Sequence, residues 1–248
     1  MPDSGVTVAS RLLAILGSFD AGHRALTLSE IARRAGLTLP TAHRLVAELA
    51  GWGALRRTAT GEYVIGRRLW DLGLLAPVQT GLRDVAAPFL QDLYGATKAT
   101  VHLAVLDGTQ ALYLDRLSGH GSVPLVSRVG ARLPLHSTGV GKVLLGYAPA
   151  DVRHAVLSRP LERYTPYTIV APGRLEEQLR RVPRDGYATT SEEMTLGACS
   201  IAVPVLAADA VVAALGLVLP DLRGRARLLP ALRVASRGIA RSLSLEAG

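Results

Sequence analysis

Apolar residues recur at helical spacing from Val8 to Phe19, with Leu12, Leu13, Ile15, Leu16 and Phe19 on one face. After a loop at Ala21–Arg24, Thr27-Leu-Ser-Glu30 opens a second helix. Thr27 or Ser29 can cap it, Glu30 suits its positive end, and Ile31, Ala32 and Ala35 turn inward. Gly36 stops that helix. Thr38 then offers an N-cap for a third, and Pro40 is tolerated in the first turn because its missing N–H has no helical partner. This helix runs through His43, Arg44, Leu45, Val46 and Leu49 to Gly51. Two extended runs, Ala54–Thr58 and Glu62–Ile65, flank a turn at Gly61 and predict a β-hairpin. Arg67–Leu75 is an apolar-faced helix, and Pro77–Gly81 marks a boundary.

Beyond the boundary strands and helices alternate. Leu82–Tyr94 reads as a helix, with strands at Thr100–Leu106 and Gln110–Leu117 around the Asp107-Gly108 turn, and another at Val123–Val129. Helices follow at Lys142–Gly146, from Asp151 to Leu157 and at Arg174–Arg184, then a strand at Tyr187–Glu193 and a closing helix at Leu228–Leu245. Ser200–Pro220 carries one charge, Asp209, and is nearly long enough to span a bilayer. Pro204 and the polar break at Asp209 argue instead for two buried strands joined by a turn at Ala207–Ala210, and no membrane partner is expected. The pattern predicts an α+β protein in two domains, with a mostly antiparallel sheet in the second. The expected divisions are 6–66, a linker helix at 67–80, and 81–248.

Composition sharpens this picture in one place. Hydrophobic residues make up 49% of the 248 and charged residues 19%, which excludes a disordered chain. The net charge of +8 favours a polyanionic partner but is weak alone. From Arg24 to Arg68, however, eight arginines face only three acids. Helix, glycine turn and helix followed by a hairpin is the winged helix-turn-helix arrangement, which binds double-stranded DNA. Thr38 and Thr41 can meet phosphates at the start of the third helix, His43 and Arg44 can reach base edges, and Arg56 and Arg57 lie on the wing beside the flanking backbone. The same residues also suit an ordinary solvated face, and helix-glycine-helix occurs in plain bundles.

Catalytic readings fail on their details. The lone cysteine, Cys199, allows no disulfide and fits a cytoplasmic setting, and the N-terminus carries no signal-peptide pattern. The six histidines lack zinc-site spacing, so no metal or other cofactor is expected. Gly139-Val-Gly-Lys142 resembles part of a phosphate loop, but His136 stands at the earlier glycine and Val143 replaces the magnesium-binding hydroxyl. Glu192-Glu193 are strand neighbours facing opposite sides, which argues against a carboxylate pair.

Several segments in one order carry a resemblance: LSEIARRAGLTLPTAHRLVAEL, GEYVIGRRLWDLG, RLPLHSTGVGKVLLGYAP, RYTPYTI, RVPRDGYATTSEEMTLGACSIAVPV and VVAALGLVLP. Over nearly its whole length the chain resembles the IclR family of transcriptional regulators. The resemblance implies a GAF-like effector domain, a homodimer or dimer of dimers (homotetramer), operator DNA, and repression or activation controlled by a small organic molecule. It implies an effector pocket between Gly139-Val140, the stretch from Thr190 through Ala198 to Ser200, and strands carrying Leu125, Gly216 and Val218. Thr190 stands where relatives often have an acid, and Gly216 and Val218 where serines are common. Gly216 and Val218 would then offer space and an apolar wall, so the expected effector has an apolar body and one oxygen-rich end. The competing reading is a small-molecule binding or catalytic protein whose N-terminal unit serves assembly.

Overall fold

A computed structural model describes residues 7–20, 22–74, 80–119, 127–207 and 210–246. The chain divides into two compact units, Met1–Thr80 and Gly81–Gly248.

In the first unit, α1 (Val8–Leu16), β1 (Ala25–Leu26), α2 (Leu28–Arg34) and α3 (Leu39–Trp52) precede the hairpin of β2 (Leu55–Arg57) and β3 (Tyr63–Ile65), and α4 (Arg67–Leu74) follows. Thr27 rather than Ser29 caps α2: its hydroxyl accepts the Glu30 N–H at 3.3 Å, and Glu30 Oε2 takes the Thr27 N–H at 2.8 Å. This is a complete capping box. Gly36 adopts a left-handed φ of 65°, which lets the Leu37 N–H return to the Ala32 carbonyl and turns the chain into α3. Thr38 does precede α3, but its hydroxyl pairs with Thr41 at 2.9 Å instead of capping. Ala25–Leu26, between the expected loop and α2, form β1, which joins the hairpin in a three-stranded sheet of order β1-β3-β2. Ile15, Leu26, Ile31, Leu45, Val46, Leu49 and Leu55 form the core beneath these elements.

The second unit is built on a six-stranded sheet. It comprises α5 (Thr80–Thr97), β4 (Thr100–Asp107), β5 (Gln110–Leu117), β6 (Arg132–Pro134), α6 (Gly139–Tyr147), α7 (Ala150–Leu157), α8 (Pro172–Asp185), β7 (Ala188–Ser191), β8 (Cys199–Ala207), β9 (Ala210–Leu219) and α9 (Arg225–Glu246). Strand order is β6-β5-β4-β9-β8-β7, and every described pairing is antiparallel. Val101, Leu103, Ile201, Val203, Leu215 and Leu217 pack on one face with α5 and α9. Ala104, Tyr113, Ala202 and Ala214 pack on the other with α6 and α8. Helices on both faces explain why 200–219 reads as continuous apolar sequence despite the antiparallel pairing. Most of the strand expected at Val123–Val129 lies outside the described residues, and 127–129 are not strand.

One irregularity positions the site. Between Leu103 and Ala104 the register to β5 slips, so that Leu103 faces Asp115 but Ala104 faces Tyr113. The extra residue, Leu114, is a β-bulge. Tyr113, paired with Ala104 ahead of the slip, shares the α6 face with His102, and the slip turns Arg116 onto that face as well.

Candidate functional site

Helix α6 begins three residues earlier than its hydrophobic pattern implied. The Thr138 hydroxyl accepts the Gly141 N–H at 3.1 Å and draws the glycines into the first turn. Their role is close approach. A Cβ on Gly139 would lie 2.4 Å from Ser200 Oγ, and one on Gly141 2.6 Å from the Leu135 backbone. Gly216 serves the same end, because a Cβ there would meet Val140 Cγ1 at 2.9 Å. The room at Gly216 is therefore filled by Val140, and it does not enlarge a pocket as expected.

Beside this turn lies a narrow slot of about 490 Å³ including its open mouth. Gly139, Val140, Thr190, Ala198, Ser200, Gly216 and Val218 all line it. Leu125 lies outside the described residues. The walls also include His102, Tyr113, Ser127, Ser137 and Met194, none of which the sequence singled out. No Asp, Glu, Lys or Arg is among the described lining residues.

The polar groups near α6 are backbone N–H groups and hydroxyls. Gly139 N–H donates to Ser200 Oγ at 3.1 Å, and Ser200 Oγ lies 2.6 Å from Thr190 Oγ1. Two hydroxyls sharing one hydrogen bond leave one O–H unspent, whichever donates. The Val140 N–H makes no hydrogen bond among the described residues. The fully buried Ser137 hydroxyl donates only to the Met194 thioether at 3.3 Å, a weak acceptor. Gly139 thus spends on Ser200 the N–H expected for a ligand, while Val140 keeps its own.

On the wall formed by β4 and β5, Ser127 Oγ lies 2.8 Å from His102 Nε2, and His102 stands edge-on to Tyr113 at 5.0 Å. Burial, reinforced by the Arg116 charge across the strand pair, holds His102 down at about 3, so it is neutral. Burial also pushes the Tyr113 phenol well above its ordinary range.

Behind the cavity, Lys142 Nζ is 2.6 and 2.8 Å from the two Glu193 carboxylate oxygens and 2.7 Å from Gln178 Oε1. Burial pulls Lys142 down and Glu193 up, yet the three contacts satisfy all three ammonium hydrogens. Thr165 and Thr168 donate to the carbonyls of Glu192 and Glu193 at 2.6 and 2.7 Å. These contacts fix the loop that carries Met194, Thr195 and Ala198 into the cavity wall. Lys142, whose phosphate-loop resemblance already failed on sequence, belongs to a buried ion pair.

In the first unit, α3 buries Ala42, Leu45, Val46 and Leu49 and exposes Thr38, His43 and Arg44, with Thr41 half-buried. Arg56 and Arg57 are exposed on β2. Arg44 and Arg56 make no ion pair or hydrogen bond among the described residues. Arg57 turns back, its Nε donating to the Gly61 carbonyl and its guanidinium over Tyr63 at 5.9 Å.

Comparison with known proteins identifies this pairing of a helix-turn-helix unit with a cavity-bearing sheet. Residues 8–59 match the IclR helix-turn-helix domain, and residues 76–245 match the family described as bacterial transcriptional regulator IclR C-terminal. The chain belongs to the IclR family. Among its relatives, the HTH-type transcriptional regulator BhcR of Paracoccus denitrificans is 33% identical over 244 residues, covering 97% of this chain and 87% of that protein. The glycerol operon regulatory protein of Streptomyces coelicolor is 33% identical over 96% of this chain and 95% of its own length. An IclR homolog from Microbacterium hydrocarbonoxydans, solved in complex with 4-hydroxybenzoate, superposes with a TM-score of 0.93 at 36% identity, covering 96% of this chain and 100% of that one. The protein is a DNA-binding transcriptional regulator, which sets aside the assembly-module reading. Among the described residues no helix is long and apolar enough to cross a membrane.

Proposed function

We propose that this regulator senses an aromatic carboxylic acid, bound with its acid end at the first turn of α6 and its ring in the slot. The observation that carries the reading is the donor set there. Val140 N–H, one spare hydroxyl hydrogen from Thr190 or Ser200, and the Ser137 O–H face a space with no acid among its described lining residues. A carboxylate is acceptor-only and the helix N-terminus favours negative charge, so the two match. Leu133, Val140, Ala198, Ala202, Leu217 and Val218 supply the apolar wall a ring needs. The 4-hydroxybenzoate bound by the Microbacterium relative supports the same class.

On the DNA side, Thr38, Thr41, His43 and Arg44 of α3 are proposed to enter the major groove while Arg56 and Arg57 of the wing meet the backbone. Helix α4 leaves Trp70 60% and Leu72 46% exposed, which supports a homodimer sealed by this helix and a two-fold operator. Such a protein works in the cytoplasm beside its DNA. Fluorescence anisotropy on the DNA flanking its own gene tests the whole reading. Aromatic acids should change operator affinity by tenfold or more, with little effect from glyoxylate or pyruvate. A response to those small acids alone would refute it.

A further inference from the structure

Helix α9 carries a charge that the fold does not use. Residues 222–245 hold six arginines, at 223, 225, 227, 233, 237 and 241, and no acid. That is a balance of +6, against +5 for the arginine-rich stretch from Arg24 to Arg68, and the rest of the chain is net acidic. Leu232, Ala235, Ile239 and Leu243 anchor the helix to the sheet, and Gly238 sits close against Phe89 of α5. The six arginines are all exposed. Arg233 donates to the Asp185 carbonyl at 2.8 Å, while the other five guanidinium groups make no ion pair or hydrogen bond among the described residues. The neighbouring acids are engaged elsewhere: the Asp185 carboxylate pairs with Arg184 at 2.8 Å, and Asp221 accepts the Arg223 backbone N–H.

These charges work against the helix. Arg225 and Arg227 stand in its first turn, at the positive end of the helix dipole, with no acid there to offset them. Arg233, Arg237 and Arg241 follow at four-residue spacing, where like charges repel from turn to turn. On α8 the same spacing is used for attraction, between Glu177 and Arg181. An external anion would turn the repulsion on α9 into attraction. Four residues of helix advance about 6 Å, and Arg227 to Arg241 spans about 21 Å. Each strand of duplex DNA presents a phosphate about every 3.4 Å along its axis, so the row meets roughly every second phosphate. A compact anion would engage one or two of these arginines, whereas a regular polyanion engages them all. The helix-turn-helix unit of the same chain keeps such a polyanion at high local concentration.

We propose that the arginine row of α9 binds the phosphate backbone of duplex DNA without reading its sequence, adding a second contact to that of the helix-turn-helix unit. The row is separate from the effector site, since no α9 residue is among the described residues lining the slot.

Fluorescence anisotropy of the full chain on a long random-sequence duplex, repeated over a range of salt concentrations, tests the assignment. Each phosphate contact contributes about 0.9 to the slope of log affinity against log salt. Arg237→Ala with Arg241→Ala should therefore make the slope shallower by about two for each chain engaged, and weaken binding about tenfold or more at about 0.1 M salt. Arg237→Lys with Arg241→Lys keeps both charges and should retain the wild-type slope. Arg174→Ala with Arg180→Ala removes the same charge from exposed positions on α8, across the sheet, and should leave the slope unchanged. An unchanged slope in the α9 alanine pair would overturn the proposal. An equal loss in the α8 pair would also overturn it, because the effect would then be one of net charge. Poly-glutamate binding that depends on the α9 pair, with the DNA slope intact, would assign the row to an acidic polypeptide instead.

Discussion

Lys142→Met deletes one buried ammonium, keeps most of its stem, and leaves Glu193 alone in a site where it is 5% exposed. Removing one partner of a buried pair costs about 3–5 kcal/mol by general experience. Here the loss has a ceiling, because the stranded carboxyl can take up a proton. With an unfolded value of 4.5, protonating Glu193 at pH 7 costs about 3.4 kcal/mol at 1.36 kcal/mol per unit. At pH 5 the same step costs only about 0.7 kcal/mol. The sign follows from linkage. A carboxyl raised in the folded state binds more protons there than in the unfolded chain, so stability falls as pH rises above 4.5 toward the folded value. The variant should therefore lie about 3 kcal/mol below wild type at pH 7 and approach it by pH 5. Glu193→Gln in the same chain should recover most of the loss at pH 7. Urea unfolding followed by far-ultraviolet circular dichroism measures this. Tryptophan fluorescence serves as a control, since Trp52 and Trp70 both lie in the first unit. A loss of equal size at both pH values, or a double variant no better than the single, would refute the argument.

His102 acts with the opposite slope. Its folded value of about 3 lies below the unfolded 6.5, so the unfolded chain binds the extra proton between them and stability is lost as pH falls from 6.5 toward 3. His102→Gln should lose about 2 kcal/mol less than wild type between pH 7 and pH 5 in urea unfolding, and parallel profiles would contradict this. Gly216→Ala drives a Cβ into Val140 and should cost about 1–3 kcal/mol, with much of the melting temperature regained by Val140→Ala in the same chain. In operator anisotropy, Arg44→Ala should cost about 1–3 kcal/mol and relax one base position. Arg56→Ala should weaken all sequences alike and reduce the salt slope by about one, and unchanged slopes would remove Arg56 from the interface.

The helix-turn-helix was legible in the chain because its signals are local: Thr27 with Glu30, Gly36 in a left-handed turn, and apolar spacing at Leu45, Val46 and Leu49. The α6 side of the cavity was legible through family resemblance, and Gly139, Val140, Thr190, Ala198, Ser200, Gly216 and Val218 line one slot. The two-residue strand β1 carries too little pattern to register. The glycines at 139 and 141 look like a loop in sequence, since glycine disfavours helix by about 1 kcal/mol. Close contact with Ser200 and Leu135 overrides that preference.

The wall at His102 was invisible for a different reason. Alternation from the Asp107-Gly108 turn puts Tyr113 on His102's face, but only the slip at Leu114 turns Arg116 onto that face too. No glycine or proline marks that slip in Leu112-Tyr-Leu-Asp-Arg116. It is set by the pairing of β4 with β5, which aligns Arg116 with His102 and so adds its charge to the burial that keeps the imidazole neutral. The turn at Asp107-Gly108 thus decides that Tyr113 joins the His102 face, while the slip beyond it decides that Arg116 does.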